Sequence, residues 1–320
     1  MSWRTIQRKN FTRVQELCDF LELDDVARAK VLKTPRFPLN LPFRLAAKMG
    51  KNNLNDPLFR QFVPIKDELA VSSGFLLDPV KDASVRKERK LLHKYPGRAL
   101  LLATGACAMN CRFCFRQNFE YETEQKSFEN ELRLIADDPS LKEIILSGGD
   151  ALSLSNAVLQ ELTQGLSAIP HLSLLRFHTR FPLGIPERLD EDFIELLATC
   201  RLQIWFVIHC NHPLELDADV AAALRKIQKL GIPVLNQFVL LKGVNDTFPI
   251  LKELHERLIE CGIIPYYMHQ LDRVQGAAHF EVDREEGLAL IQQLRASLPG
   301  YAVPRFAVEI PGEISKTIIA

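Results

Sequence analysis

The sequence has no apolar run long enough to span a bilayer, which excludes a membrane-spanning helix. It has no excess of either charge. Forty lysines and arginines balance forty aspartates and glutamates, so no polyelectrolyte attraction to nucleic acid or membrane is expected. The opening residues, Met1-Ser-Trp-Arg-Thr-Ile and then Gln7, Arg8, Lys9 and Asn10, contain no apolar signal core, and a cytoplasmic location is the expectation. There is no low-complexity segment, and no internal repeat beyond a strand–helix period. The cysteine framework of a small secreted domain is missing too. The seven cysteines are odd in number and three fall within eight residues, the pattern of clustered thiols in a reducing compartment. The basic run Arg86, Lys87, Arg89, Lys90 and Lys94 reads as a solvated helix face.

What is present is a chain of 320 residues, 47% hydrophobic and 25% charged, long enough to bury a sizeable core. Residues 1–92 read as a mostly helical N-terminal extension. Phe11, Val14, Leu17, Cys18 and Leu21 recur at helical spacing, and prolines at 35, 38 and 42 with the 52–57 stretch break the region into short pieces. From about residue 98 the texture changes. Apolar runs at 99–103, 143–146, 172–178, 202–209, 234–241 and 265–269 alternate with segments of helical period at 128–136, 158–169, 192–199, 218–230, 250–261 and 285–298. Six strand–helix units without a hairpin signal predict a parallel α/β sheet. Right-handed crossovers curl such a sheet into a partial (β/α)6 TIM-like barrel over 93–298. The segment 299–320 carries Phe306, Val308 and Ile310 and then Pro311-Gly312, too apolar for a loose end. In such barrels ligands sit at the C-terminal ends of the strands.

After the first predicted strand comes Gly105-Ala-Cys107-Ala-Met-Asn-Cys111-Arg-Phe-Cys114-Phe-Arg116. The spacing is C-x3-C-x2-C. Three thiolates on one tight loop can bind three irons of a [4Fe-4S] cubane and leave the fourth iron open. Structural zinc wants four ligands, usually in two separated pairs, and the next histidine downstream, His171, lies far along the chain. Arg112, Arg116 and Asn110 make the loop too polar for three merely buried cysteines. Cys18, Cys200, Cys210 and Cys261 read as small apolar fillers.

At this loop the sequence resembles the radical S-adenosylmethionine superfamily, in which the open iron binds the amine and carboxylate of S-adenosylmethionine. Ser147-Gly148-Gly149-Asp150, after the second strand, is similar to the superfamily's glycine-rich segment. Paired glycines allow close backbone approach, and the carbonyls and Asp150 can receive an ammonium. Further motifs narrow the resemblance to lysine 2,3-aminomutases: His93-Lys94-Tyr95-Pro96, Asn211-His212-Pro213, Asn236-Gln237, Gly243-Val244-Asn245-Asp246 and Pro265-Tyr266-Tyr267. Together they cover roughly residues 90–320, and the short bacterial form that supplies β-lysine for modifying elongation factor P matches best.

This resemblance implies a second cofactor, pyridoxal 5′-phosphate, held as a Schiff base by Lys316 after the Pro311-Gly312 turn, with Lys94 and Arg98 at its phosphate and Tyr95 beside its ring. A buried amine loses its proton more readily, as imine formation requires. His209 and Gln237 match contacts to S-adenosylmethionine. Arg116 matches the arginine that grips the substrate carboxylate, where a planar guanidinium suits the fork. Asp272 and Glu309 match the acids that receive the lysine ε-ammonium. The implied reaction moves the amino group of L-lysine from Cα to Cβ. A reductase or flavodoxin would supply the electron, and β-lysine would be handed to an elongation factor P ligase. The shortness of the chain after Lys316 favours a monomer. Three rivals stand beside this reading: a radical enzyme of the same superfamily without pyridoxal phosphate, a non-catalytic iron–sulfur electron carrier, and a zinc-stabilised binding module.

Overall fold

The computed structural model describes residues 1–121 and 127–320. Among them, one sheet runs in strict sequence order. Its strands are β1 (Arg86–Glu88), β2 (Leu91–Tyr95), β3 (Arg98–Thr104), β4 (Glu143–Gly148), β5 (Leu174–Thr179), β6 (Gln203–His209), β7 (Val234–Val239), β8 (Ile264–His269), β9 (Arg305–Val308) and β10 (Thr317–Ile318). Pairing is parallel from β3 through β9. It is antiparallel at both margins. The edge strands β1 and β10 do not pair with each other, so the barrel stays open.

Five short helices precede the sheet: α1 (Trp3–Gln7), α2 (Val14–Phe20), α3 (Asp25–Arg28), α4 (Phe43–Ala46) and α5 (Pro57–Phe62). The crossovers carry α6 (Glu129–Asp137), α7 (Asn156–Ser167), α8 (Phe181–Gly184) with α9 (Glu191–Thr199), α10 (Ala218–Lys229), α11 (Phe248–Glu260) and α12 (Arg284–Ser297). The six strand–helix units expected from the sequence are all present, and β9 adds a seventh parallel strand. The hairpin in front of them was not expected. Its turn is Pro96-Gly97, with Gly97 at φ +74°, and it pairs Tyr95 with Arg98. The basic run of 86–94 lies along this hairpin and is not a solvated helix face. Lys90 is buried, and its ammonium donates to the Ser127 carbonyl.

Local sequence explains these elements. Ser155, Asp190 and Asp217 cap α7, α9 and α10 by accepting from backbone amides of the first turn, where the amides otherwise lack partners. In β5, Leu175, Phe177 and Thr179 are buried while Leu174, Arg176 and His178 are less so; alternate side chains therefore face opposite sides. Phe177 meets Phe193 of α9 edge-on at 6.1 Å. Leu159, Leu162 and Leu166 of α7 close the same layer. The other face of the strands carries Arg176, His178, His209, Gln237 and His269. No helix among the described residues is long and apolar enough to cross a membrane.

The N-terminal helices clasp the barrel. Trp3 packs edge-on against Phe181 at 5.5 Å, and the segment 72–76 joins the barrel through the Leu76–Val274 bridge. Residues 10 and 38–40 of this region hold the cysteine loop. Asn40 donates to the Cys107 carbonyl at 3.0 Å, Asn10 to the Ala108 carbonyl at 2.7 Å and Asn110 to the Pro38 carbonyl at 2.9 Å.

Candidate active site

The cysteine loop leaves the C-terminal end of β3, where parallel barrels assemble their sites. Arg112 anchors it from within. Its guanidinium is buried and makes two bonds to Glu68, at 2.8 and 2.5 Å, and one to the Phe37 carbonyl at 2.9 Å. The glycine pair after β4 presses on the loop from the other side. Gly149 donates to the Thr104 carbonyl at 2.6 Å, and Asp150 donates to the Ala106 carbonyl at 2.8 Å. A Cβ on Gly149 would lie 2.4 Å from the Ala106 oxygen, and one on Gly148, at φ +121°, 2.4 Å from the Thr104 oxygen.

The three thiols are part-buried and near enough to feel one another's charge, and each is pushed above its ordinary range first by burial. For Cys107 the negative fields of Asp150, Cys114 and Cys111 add to this. Cys114 is pushed up to about 11 by burial and by Cys111. Burial also leads at Cys111, opposed by the cation of Arg180. No group of three or more His, Cys, Asp or Glu among the described residues converges on a single metal ion. The donor set is the all-sulfur one that iron–sulfur clusters use.

Arg180 was not singled out from the sequence. It follows β5, fully enclosed, and its Nη1 lies 2.8 Å from Cys111 Sγ. Its Nη2 donates to Gln61 and Glu215, each at 2.6 Å. The only sequence signal is position, since a polar residue just past a barrel strand tends to face the site.

Asp150 departs from its expected role. Its carboxylate accepts from Thr179 Oγ1 and from the amides of Leu152, Arg180 and Phe181, at 2.8 to 3.0 Å. It is a buried brace between β4 and β5, with no lone pair to spare for an ammonium. Ser147 accepts from Arg116 Nη1 at 3.2 Å. His209 packs beside Phe113 of the cysteine loop, 5.8 Å between centroids, and bonds Asn211 at 3.1 Å. Burial, then Arg180, hold its imidazole down at about 3, so it is neutral. Gln237 Nε2 sits 3.3 Å from His178 Nδ1.

Lys316 reaches this interior from the far end of the chain, on the segment leading into β10. Its Nζ lies 2.9 Å from Glu309 Oε2. Glu309 is also paired with Lys94 at 2.6 Å and hydrogen-bonded by the Tyr95 hydroxyl. Burial alone would raise the Glu309 carboxyl, but the charge of Lys316 and the bonds from Lys94 and Tyr95 prevail and hold it at about 2. Three sequence expectations change here. Lys316 meets an ion pair instead of an apolar seat, and its side chain is 30% exposed. Glu309 is fully engaged by chain cations. Lys94 spends its ammonium on Glu309 and the Val80 carbonyl. Arg98 lies over the Tyr95 ring at 4.8 Å, with no hydrogen-bonded acceptor among the described residues, and so remains a cation that a phosphate could engage.

Asp272 differs from Glu309. Its carboxyl makes no hydrogen bond or ion pair among the described residues, and it faces a cavity of about 440 Å³ shared with Glu309, Gly74, Leu76 and Pro79. Burial pushes it up to about 6 against the pull of Lys316. Arg116 is buried and held by Asp82, which takes Nε at 2.8 Å; this leaves its Nη edge toward the interior. Asp82 was not foreseen, because it lies on an irregular turn at 82–85 that no periodicity marks.

Comparisons with known proteins agree with this arrangement. A family model described as a 4Fe-4S single cluster domain matches residues 96–175, which include all three clustered cysteines and the glycine pair. The L-lysine 2,3-aminomutase of Haemophilus influenzae is 40% identical, aligned over 100% of this chain and 96% of that protein. That of Escherichia coli is also 40% identical, over 98% of this chain and 93% of that protein. The Clostridium subterminale enzyme of the same name is 32% identical over 98% of this chain but 77% of its own length. Among solved structures, Streptococcus suis SuiB bound to S-adenosylmethionine superposes with a TM-score of 0.51 at 17% identity, over 72% of this chain and 54% of that one; this likeness concerns the fold. With 40% identity along its whole length, the chain belongs to the lysine 2,3-aminomutase family, a family of isomerases.

Proposed function

We propose that this protein converts L-α-lysine to β-lysine, with a [4Fe-4S] cluster on Cys107, Cys111 and Cys114, S-adenosylmethionine at the open iron and pyridoxal phosphate on Lys316. The observation that carries the reading is the meeting of both halves of the chemistry in one barrel. Lys316, from the end of the chain, shares its electrostatic environment with His178 and Asp272, and these lie beside the residues that follow the cysteine loop. When bound, the cluster and S-adenosylmethionine supply the means to remove a hydrogen atom from an unactivated carbon, while pyridoxal phosphate supplies the conjugation through which nitrogen migrates.

The chain's own residues hold and orient. Arg116, steadied by Asp82, presents its Nη edge to the α-carboxylate. Asp272, whose carboxyl has no partner among the described residues, receives the ε-ammonium at the other end. Two charged anchors at opposite ends select a diamino acid and place its β-carbon, which is how position lowers a barrier. Glu309, ionised and 2.9 Å from Lys316 Nζ, holds that amine in position as its ion-pair partner. Arg98 and the backbone around it offer cation and donors to a phosphate, and Lys94 joins them on leaving Glu309. His209, neutral at the end of β6, and Gln237, within β7, would contact S-adenosylmethionine. The chain is 40% identical to the Haemophilus influenzae and Escherichia coli enzymes and 32% identical to that of Clostridium subterminale, and we extend the proposal to β-lysine made for attachment to elongation factor P.

The test is anaerobic incubation of the reduced, reconstituted protein with lysine and S-adenosylmethionine, followed by chiral analysis. β-Lysine is the expected product, and its absence from a preparation with full iron and pyridoxal phosphate content would refute the assignment.

A further inference from the structure

The reading above assigns Arg180 no role, yet no other described side chain touches a clustered cysteine sulfur so closely. Its Nη1 is 2.8 Å from Cys111 Sγ. Four further contacts fix it there: Nη2 to Gln61 of α5 and to Glu215, and the faces of Phe62 and Phe113 at 4.7 and 5.4 Å. Its backbone amide is held by Asp150 at 2.8 Å. Glu215, its counter-ion, is itself pinned by the amides of Asn211 and His212 at 3.1 and 3.0 Å. A guanidinium clamped in this way cannot drift from the sulfur.

We propose that Arg180 is a positioning residue that sets the reduction potential of the cluster, by directing a hydrogen bond and a buried positive charge at the Cys111 sulfur, with Glu215 partly offsetting that charge. Hydrogen bonds to ligand sulfurs and local charge are established levers on cluster potentials. Reduction transfers one electron from a low-potential one-electron carrier, which is itself oxidised by one electron; no bond and no proton changes hands. The added electron makes the cluster and its thiolates more negative. A cation 2.8 Å from one sulfur therefore stabilises the reduced state more than the oxidised one, and low local permittivity strengthens the effect. The two members of the pair should then act with opposite sign. Removing Arg180's charge makes reduction harder, and neutralising Glu215 makes it easier.

This inference rests on the cluster assignment, and the experiment separates the two. The full-length protein, Arg180→Gln and Glu215→Gln are reconstituted anaerobically, and iron per chain is measured. Each is then titrated with dithionite under electron paramagnetic resonance. Arg180→Gln is expected to lower the equilibrium constant for reduction by about tenfold or more, the scale of a charge-assisted hydrogen bond, or about 59 mV for a one-electron couple. Glu215→Gln is expected to raise it. Unchanged potentials at wild-type iron content overturn the proposal, as does a shift of the same sign in both variants. Should Arg180→Gln lose its iron, Glu215→Gln decides alone: a rise supports the proposal and no change refutes it. A wild-type chain that binds no cluster overturns the metal assignment itself, and this inference with it.

Discussion

Asp272 and Glu309 are both acidic, both half-buried and both beside Lys316, yet their environments drive them apart. Glu309, with three donors, stays ionised; Asp272, with none among the described residues, is pushed up to about 6 by burial. If Asp272 pairs with the substrate ammonium, it must be ionised to do so. Below about pH 6 it is neutral, so kcat/KM for lysine should fall about tenfold per pH unit there and level off above, and Asp272→Asn should abolish that limb while raising KM. A limb that persists in Asp272→Asn would assign it to another group. Stability moves the opposite way. The folded carboxyl keeps its proton between about pH 4 and 6 while the unfolded one has lost it, so stability declines as pH rises through that window and stays reduced above it. Asp272→Asn should therefore stabilise the protein by about 3 kcal/mol at pH 7, with the gain vanishing near pH 4 in thermal melts. Lys316 offers a second residue-level test. Lys316→Ala should keep wild-type iron but retain no pyridoxal phosphate after borohydride reduction; covalent retention by the variant would show that another amine holds it. Cysteine spacing and strand-end position made Cys107, Cys111, Cys114 and His209 legible in the sequence. Arg180 was not, because Gln61, Cys111 and Glu215 come from three separate stretches that only folding unites.

At the scale of elements, the decisive junction is where β4 ends against the cysteine loop. Gly148-Gly149 could be read from the sequence as a site of close approach, but what approaches was not legible. The structure puts the end of β3 and the start of the loop there, the Thr104 and Ala106 oxygens standing 2.4 Å from where the Gly148 and Gly149 Cβ atoms would be. Gly149→Ala should force the Gly105–Ala106 backbone to move, costing about 1–3 kcal/mol as overpacking does, and should lower iron per chain. Gly148→Ala adds a left-handed φ to the same clash and should be worse. Gly165→Ala is the control, since its Cβ would meet only the Leu132 side-chain tip at 2.7 Å, which can rotate away, and alanine favours the surrounding helix. Iron retention in Gly149→Ala equal to that in Gly165→Ala would refute this account of the junction. The helices and inner strands were legible because period and length agree in each. The β2–β3 hairpin was missed because β2, Leu-Leu-His-Lys-Tyr, lacks the apolar alternation that marks strands, although Pro96-Gly97 is a turn signal in its own right.

For the molecule as a whole, the N-terminal region and the barrel depend on each other through Arg112 and Glu68. The sequence shows a helical extension and a cysteine loop, but not that they are joined by a fully buried guanidinium held to a carboxylate on the extension. A buried ion pair adds little net stability over a well-packed apolar pair, whereas removing one partner leaves a stranded charge and costs about 3–5 kcal/mol. Glu68→Gln should therefore lower the denaturation midpoint and speed iron release to a chelator, because Arg112 lies between Cys111 and Cys114 and its displacement moves both. The double replacement Arg112→Met with Glu68→Leu removes the charge together with its partner and should recover most of the lost stability. That recovery need not extend to the cluster, since the bond from Arg112 to the Phe37 carbonyl is lost as well. Stability and iron retention should then separate in the double variant. If they instead return together, the clasp serves only to hold the two regions, and the loop keeps its shape without it.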